Sequence, residues 1–332
     1  MTLKLSVLDQ SPISSGSNAR EALQYTVKLA QLVDKLGYTR FLVSEHHDAR
    51  TLAGSSPEVL VAHLATVTER IRVGSGGVML PHYSAYKVAE NFKVLEALFP
   101  NRIDLGIGRA PGGMPRASYA LNNGEYQKVD HYPEQIEDLL IYLHDQASND
   151  FKYPGLRATP IIDTVPKLWM LGSSPNSAQL AAEKELPYIF AHFINNEAGE
   201  VAMRTYREEY SPNATRPKES AVAVFFVCAE TEEEVEEIVS SLDLSLLMLA
   251  QGMPSNGTPS PEFAMNYPYT EYDRRAIAEN RKRMVIGTPK QVRAQLERLA
   301  ELYQTDEFIL VMTAYDYEKK LKAYELLAKE ML

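Results

Sequence analysis

The chain has 332 residues, 45% of them apolar, so it can bury roughly three quarters of its unfolded surface, enough for one large domain or two of ordinary size. Its formal net charge of -10, with no run rich in lysine and arginine, leaves no electrostatic footprint for nucleic acid or an acidic membrane. The single cysteine, Cys228, excludes an internal disulfide. The N-terminus has no basic segment leading into an apolar stretch and no apolar run approaches ~18 residues, so a soluble cytoplasmic protein is expected.

The first apolar run, LKLSVL, reads as a strand. In the ALQYTVKLAQLVDKLG that follows, Ala22, Leu29, Val33 and Leu36 fall on one stripe at helical spacing, and Gly37 stands where a left-handed cap closes a helix. A second strand, RFLVS, runs into four ionisable residues, Glu45, His46, His47 and Asp48. Side chains alternate along a strand, so Leu42, Ser44 and His46 share one direction while Phe41, Val43, Glu45 and His47 share the other. The bulky Phe41 and Val43 suit the layer beneath covering helices. That leaves Ser44 and His46 facing inward at the strand's C-terminal end, where barrel enzymes carry their active sites. A hydrogen-bonded structural histidine accounts for His46 equally well. A metal site at EHHD is disfavoured, because adjacent strand side chains diverge and no H-E-x-x-H helix exists. Ser56 as N-cap and Pro57 at the first helical position open the next helix.

The third strand contains VGSGGVML, and Gly74, Gly76 and Gly77 in an apolar run mark either a bulge or a wall against which a flat ligand lies. The fourth ends in GIGRAPGG. Its G-x-G-x-x-x-G spacing and Pro111 argue against a dinucleotide loop, but the loop can present Arg109 to a phosphate, or to a surface ion-pair partner. After KLWMLG, residues Gly172, Ser173, Ser174, Asn176 and Ser177 start a helix. They serve as an anion site or as ordinary capping by Ser174, and Arg109 completes an anion site if both loops open on one face. The runs YIFAHF, AVAVFFV and EFILVM bring the strand candidates to eight, the last followed by the amphipathic YEKKLKAYELLAKEML. Strict alternation demands parallel strands with right-handed crossovers, and eight units favour an α/β chain folded as one (β/α)8 TIM barrel, residues 1–332, over doubly wound sheets. Two insertions interrupt it. SNDFKYPGLRATPIIDTVP precedes the fifth strand, and QGMPSNGTPSPEFAMNYPYTEYDRR follows the seventh helix and reads as a lid or binding loop or else as disorder.

At these residues the sequence resembles the bacterial luciferase-like flavin-dependent monooxygenases. The likeness runs through SEHH, VGSGGVMLPHYSAYKVAENFKVLEALFPNRIDLGIGRAPGG, LGSSPNSAQLAAEKELPYIFAHFI and IGTPKQVRAQLERLA, in that order and nearly end to end. Single-chain alkanal-monooxygenase-like members are the nearest in pattern. The resemblance implies FMN at the barrel's C-terminal mouth, with His46 beside the flavin for acid/base assistance and a cis Gly76–Gly77 peptide against its ring. It implies that Arg109 grips the phosphate, completed by Gly172, Ser173, Ser174 and Asn176. Gly172 stands where the luciferase has a glutamate, and Gly108 where it has a reactive cysteine. The resemblance further implies reduced FMN supplied by a separate flavin reductase, O2 and a small aldehyde-like or apolar organic molecule as co-substrates, and a homodimer. A deazaflavin-dependent hydride transferase and a flavin-binding protein without turnover are the alternatives on the same fold. An aldolase or isomerase is disfavoured, since no lysine sits at a strand end to form a Schiff base.

Overall fold

Residues 3–125 and 129–332 are described by a computed structural model of the protein. Eight parallel strands close on themselves: β1 (Lys4–Asp9), β2 (Arg40–Val43), β3 (Arg72–Met79), β4 (Ile103–Gly108), β5 (Lys167–Gly172), β6 (Tyr188–Ala191), β7 (Ser220–Cys228) and, returning to β1, β9 (Glu307–Val311). Each is a nearly continuous apolar run, as strands buried on both faces must be. The helices Ala19–Leu36, Pro57–Val67, Ala85–Leu98, Tyr132–Leu143, Pro175–Glu183, Gly199–Glu209, Pro289–Tyr303 and Tyr317–Met331 cover them, one to each strand. The expected (β/α)8 barrel is therefore present, and all eight strand candidates lie in it.

A ninth strand was not legible. β8 (Met284–Gly287) pairs with the upper half of β7, Phe225–Cys228, where β6 has already ended. Four residues between a basic helix end and a capping threonine carry no alternation to read. Helix Ala19–Leu36 ends at Gly37 (φ 88°) as expected, and Ala22, Leu29 and Val33 are buried while Leu36 is half-buried. Helix Pro57–Val67 starts at the expected proline, but the Ser56 hydroxyl makes no capping hydrogen bond.

At the N-terminal end of the barrel the interior is closed by charge. The Arg40 guanidinium, 3% exposed, donates to Glu307 (2.5 and 2.9 Å) and to Asp104 (2.6 Å), while Arg72 takes the other Asp104 oxygen. Arg40 also lies over the Trp169 ring, 4.4 Å from its centroid, and Ser6 donates to Glu307. Between β3 and β4 the backbones approach so closely that a Cβ on Gly77 would stand 2.7 Å from the Gly106 carbonyl oxygen, and the register shifts between Ser75 and Val78. The glycines of VGSGGVML are thus required by a bulge.

Both insertions are ordered. Residues 148–166 pack outside the barrel, with Phe151 edge-on to Tyr142 and Tyr86 donating to the Arg157 carbonyl. The second insertion belongs to an excursion that leaves the top of β7 and returns to it as β8. It contains the short helices Pro261–Met265 and Glu271–Arg281 and a small apolar core of its own around Leu244, Leu247 and Ala264. It docks on the loop after β1 through Ser15 N–H to the Thr258 carbonyl and Thr258 N–H to the Ile13 carbonyl, both 2.8 Å.

Candidate active site

At the C-terminal ends of the strands opens a cavity of about 360 Å³. Its lining brings together every site residue expected from the sequence: His46, Gly76, Gly77, Arg109, Gly172, Ser173, Ser174 and Asn176. The 250–275 segment, expected as a lid or binding loop, contributes none of the lining residues. It is held to the β1 loop instead, which corrects that expectation.

The end of β2 supplies one wall. Ser44 and His46 line the cavity and Glu45 and His47 turn away, as the two-residue period of a strand dictates. His46 is fixed by its backbone N–H to the Gly54 carbonyl (2.9 Å), and its ring Nδ1 lies 3.0 Å from the Ser44 hydroxyl. Burial, with a smaller contribution from neighbouring His47, lowers its pKa to about 4, so the ring is neutral at neutral pH. Glu45, 1% exposed, accepts from His47 Nε2–H (2.7 Å), the Tyr83 hydroxyl (2.7 Å) and the Met79 backbone N–H (3.1 Å). Through His47, whose N–H donates to the Gly112 carbonyl, Glu45 also ties β2 to the loop that carries Arg109.

The neighbouring wall is bare backbone. The Gly76–Gly77 peptide is cis, and a Cβ on Gly76 would stand 2.7 Å from Leu8 Cδ1. The bulge is present, and its bare backbone forms part of the cavity wall.

On the loop after β4, the strand next to that wall, Arg109 is exposed and makes no hydrogen bond or ion pair among the described residues. It is also the one Arg, Lys, Asp or Glu side chain of the lining among the described residues. The helix Pro175–Glu183 begins beside it. Capping is realised there, since the Ser174 hydroxyl accepts from Ser177 N–H (3.3 Å) and the Ser177 hydroxyl donates to the Ser174 carbonyl (2.7 Å). Asn176 N–H remains without a partner inside the helix, so the cap leaves that donor free. A Cβ on Gly172 would overlap the Ser177 hydroxyl, whereas one on Gly108 would meet Met79 Sδ at an ordinary 3.6 Å.

Tyr132 was missed by the sequence reading. It is 1% exposed, lines the cavity, and its hydroxyl has no hydrogen-bond partner. Burial holds the phenol well above its usual pKa, with Arg109 close enough to oppose that shift. Eight residues carry such an orphaned buried polar atom among the described ones, and Tyr132 alone of them lines the cavity. Apart from Gln10, the rest of the lining is apolar, with Leu42, Met170, Phe193, Ile194 and Ile309 prominent. No group of three or more His, Cys, Asp or Glu side chains among the described residues is arranged to hold a metal ion, and no described helix is long and apolar enough to cross a membrane. Cys228 is buried at the end of β7, its thiol pushed up to about 12 by burial.

Comparison with known proteins adds four likenesses. A family profile described as luciferase-like monooxygenase matches residues 2–306. The uncharacterized protein YwcH of Bacillus subtilis (strain 168) is 55% identical over 327 residues, 98% of each chain. The N-acetyl-S-alkylcysteine monooxygenase of the same organism is 39% identical over 333 residues, 99% of this chain and 98% of that one. Among solved structures, apo-MsnO8 superimposes with a TM-score of 0.91 at 36% identity, covering 99% of this chain and 98% of that one.

Proposed function

The chain belongs to the luciferase-like monooxygenase family, and from that premise we propose that it binds FMN in the barrel-mouth cavity and uses externally reduced flavin with O2 to oxidise a small, largely apolar organic substrate. One observation carries the reading. A single cavity joins a cation without a protein partner among the described residues, a helix start with a free N–H and an orphaned buried phenol to a flat glycine wall and a neutral histidine.

The donor set fits a phosphomonoester bearing a planar ring. Arg109 would hold the phosphate, Asn176 N–H and the Ser173 hydroxyl would add donors, and the Tyr132 hydroxyl would find there the acceptor that the protein does not give it. The bare Gly76–Gly77 backbone lets the ring system lie flat, which a side chain would prevent. Reduced FMN supplies the electrons that activate oxygen. His46 stands at the reacting end, and Leu42, Met170, Phe193, Ile194 and Ile309 exclude water from it. The same apolar lining favours a substrate uncharged at its reacting end, such as an aldehyde or a thioether. A thioether is in keeping with the name of the 39% identical relative.

Electrons arrive, on this reading, as free reduced FMN from a separate flavin reductase, and the buried lone cysteine fits a cytoplasmic setting. The exposed Val59, Val94 and Leu98, on the helices Pro57–Val67 and Ala85–Leu98, favour a homodimer that covers them. Two titrations test the cofactor: FMN quenches or shifts on binding, and an 8-hydroxy-5-deazaflavin binds more weakly. With FMN, a flavin reductase and a panel of aldehydes and S-alkyl thioethers, one class of substrate should gain an oxygen atom. Binding of neither flavin, or no oxygenated product from any class, defeats the proposal.

A further inference from the structure

Beside the cavity but outside its lining stands His82, 7% exposed. It ends the single turn Leu80–His82 that continues β3, the strand whose Gly76–Gly77 backbone forms the bare wall. Its ring Nε2 lies 2.8 Å from the Pro111 carbonyl oxygen, and its Nδ1 lies 2.9 Å from Asn122 Nδ2. A carbonyl oxygen only accepts, so a proton sits on Nε2. Asn122 donates one N–H to the Ser118 carbonyl (2.7 Å), which fixes the orientation of its amide and leaves the second N–H for Nδ1. Both ring nitrogens are therefore engaged, and the ring packs edge-on to His47 and to Tyr83, 6.2 Å between centroids in each case.

Pro111 belongs to the loop that carries Arg109. Arg109 and Ala110 form a two-residue span between Gly108, paired with Met79 in the sheet, and the held Pro111 carbonyl. The next carbonyl, that of Gly112, accepts from His47 N–H (2.8 Å), so consecutive carbonyls are held from the end of β2 and from the continuation of β3. The Arg109 side chain makes no hydrogen bond or ion pair among the described residues, and its backbone alone decides where it starts. We infer that His82 is a positioning residue for Arg109. By holding the Pro111 carbonyl it fixes the backbone from which Arg109 reaches, relative to the Gly76–Gly77 wall on the same strand as His82. The cavity is thereby set for a ligand whose anionic group and planar ring stand at that spacing, a case of donors placed before the ligand arrives. For the identity of that ligand the inference rests on the FMN reading; the latch itself does not.

Two substitutions separate the latch from general packing. His82→Leu deletes the donor to Pro111, and His82→Gln keeps an N–H near the position of Nε2. In the flavin-free full chain, hydrogen–deuterium exchange of peptides within residues 106–118 should be faster in His82→Leu and close to wild type in His82→Gln. In fluorescence titrations His82→Leu should bind FMN about threefold to tenfold more weakly, with riboflavin unchanged, and His82→Gln should recover FMN. A structural role alone would weaken both flavins together. Should His82→Leu not fold, Asn122→Ala, which frees the ring from its amide partner, is read in the same two assays, with changes in the same direction and smaller. Unchanged exchange, unchanged FMN affinity in a variant that exchanges faster, or equal loss of FMN and riboflavin overturns the inference. Because exchange needs no flavin, faster exchange in His82→Leu with FMN bound by no form of the protein defeats the FMN reading and leaves the latch standing.

Discussion

Tyr132→Phe tests the phosphate cradle with two readouts that move in opposite directions. The ring is 1% exposed and packs in the cavity wall, and the substitution keeps its volume while deleting a hydroxyl that has no partner in the protein. A buried polar group left unpaired costs about 1–3 kcal/mol. Removing it should therefore leave the flavin-free protein as stable as before, or more stable by up to that amount. In the complex the hydroxyl donates to a charged phosphate oxygen, a bond worth about 1.5–3 kcal/mol, so FMN should bind roughly tenfold to a hundredfold more weakly. Urea denaturation of the protein alone gives the first quantity, and flavin-fluorescence titration the second. Riboflavin, which lacks the phosphate, is the control, and its affinity should not change. A variant that loses more than about 1 kcal/mol of stability and binds FMN normally would mean that the hydroxyl is structural and that the cradle is misassigned.

Arg109→Ala should weaken FMN by roughly tenfold to a hundredfold, and Arg109→Lys, a point charge without the two-pronged fork, by less, with riboflavin again unaffected in the same titration. Gly172→Ala places a Cβ against the Ser177 hydroxyl, so the capped helix start must shift, costing about 1–3 kcal/mol in denaturation and loosening FMN with it; wild-type behaviour in both would show that the turn has slack. His46 and His192 both have pKa values lowered from 6.5 to about 4, burial being the larger cause in each, and so take up a proton on unfolding. Their contribution to stability is complete above about pH 6.5 and is lost as the pH falls towards 4, at up to about 1.4 kcal/mol per pH unit for each ring. Denaturation midpoints measured across that range should show the slope, and His192→Gln should reduce it.

The barrel was legible because parallel strands buried on both faces write themselves as continuous apolar runs, and eight such runs separated by helical spacing leave few topologies. β8 escaped because Met284–Gly287 is an addition to the side of β7 made possible only where β6 stops, a fact of three dimensions. Within the site, the divergence of Ser44 and His46 from Glu45 and His47 followed from strand geometry alone. Arg109 and the Ser174 turn were legible as loop features, and only barrel closure could bring them to one cavity. Tyr132 left no trace in the sequence. It opens a helix, next to a proline that explains the local pattern, and its role depends on how that helix leans against the β4 loop. The 250–275 segment misled for a related reason. Its prolines and tyrosines are the letters of a binding loop, but Tyr267 and Tyr269 pack on Leu244, Leu247 and Ala264 in a core of their own.

The two ends of the barrel treat polar groups in opposite ways. At the N-terminal end, Arg40 places three of its donors on Glu307 and Asp104, Arg72 and Ser6 take further acceptor positions on the same carboxylates, and Trp169 covers the guanidinium face. Breaking one partner of such a buried set typically costs about 3–5 kcal/mol, so that end is committed to holding the fold. At the C-terminal end, Arg109 has no protein partner among the described residues, the Tyr132 hydroxyl is orphaned, and His46 is buried neutral with one nitrogen free. An unpaired buried polar group costs the fold least where something outside the chain can complete it. The cavity is thus distinguished less by its size than by polar groups left without a protein partner among the described residues, and the phosphate-bearing planar cofactor proposed for it would meet their combined demand.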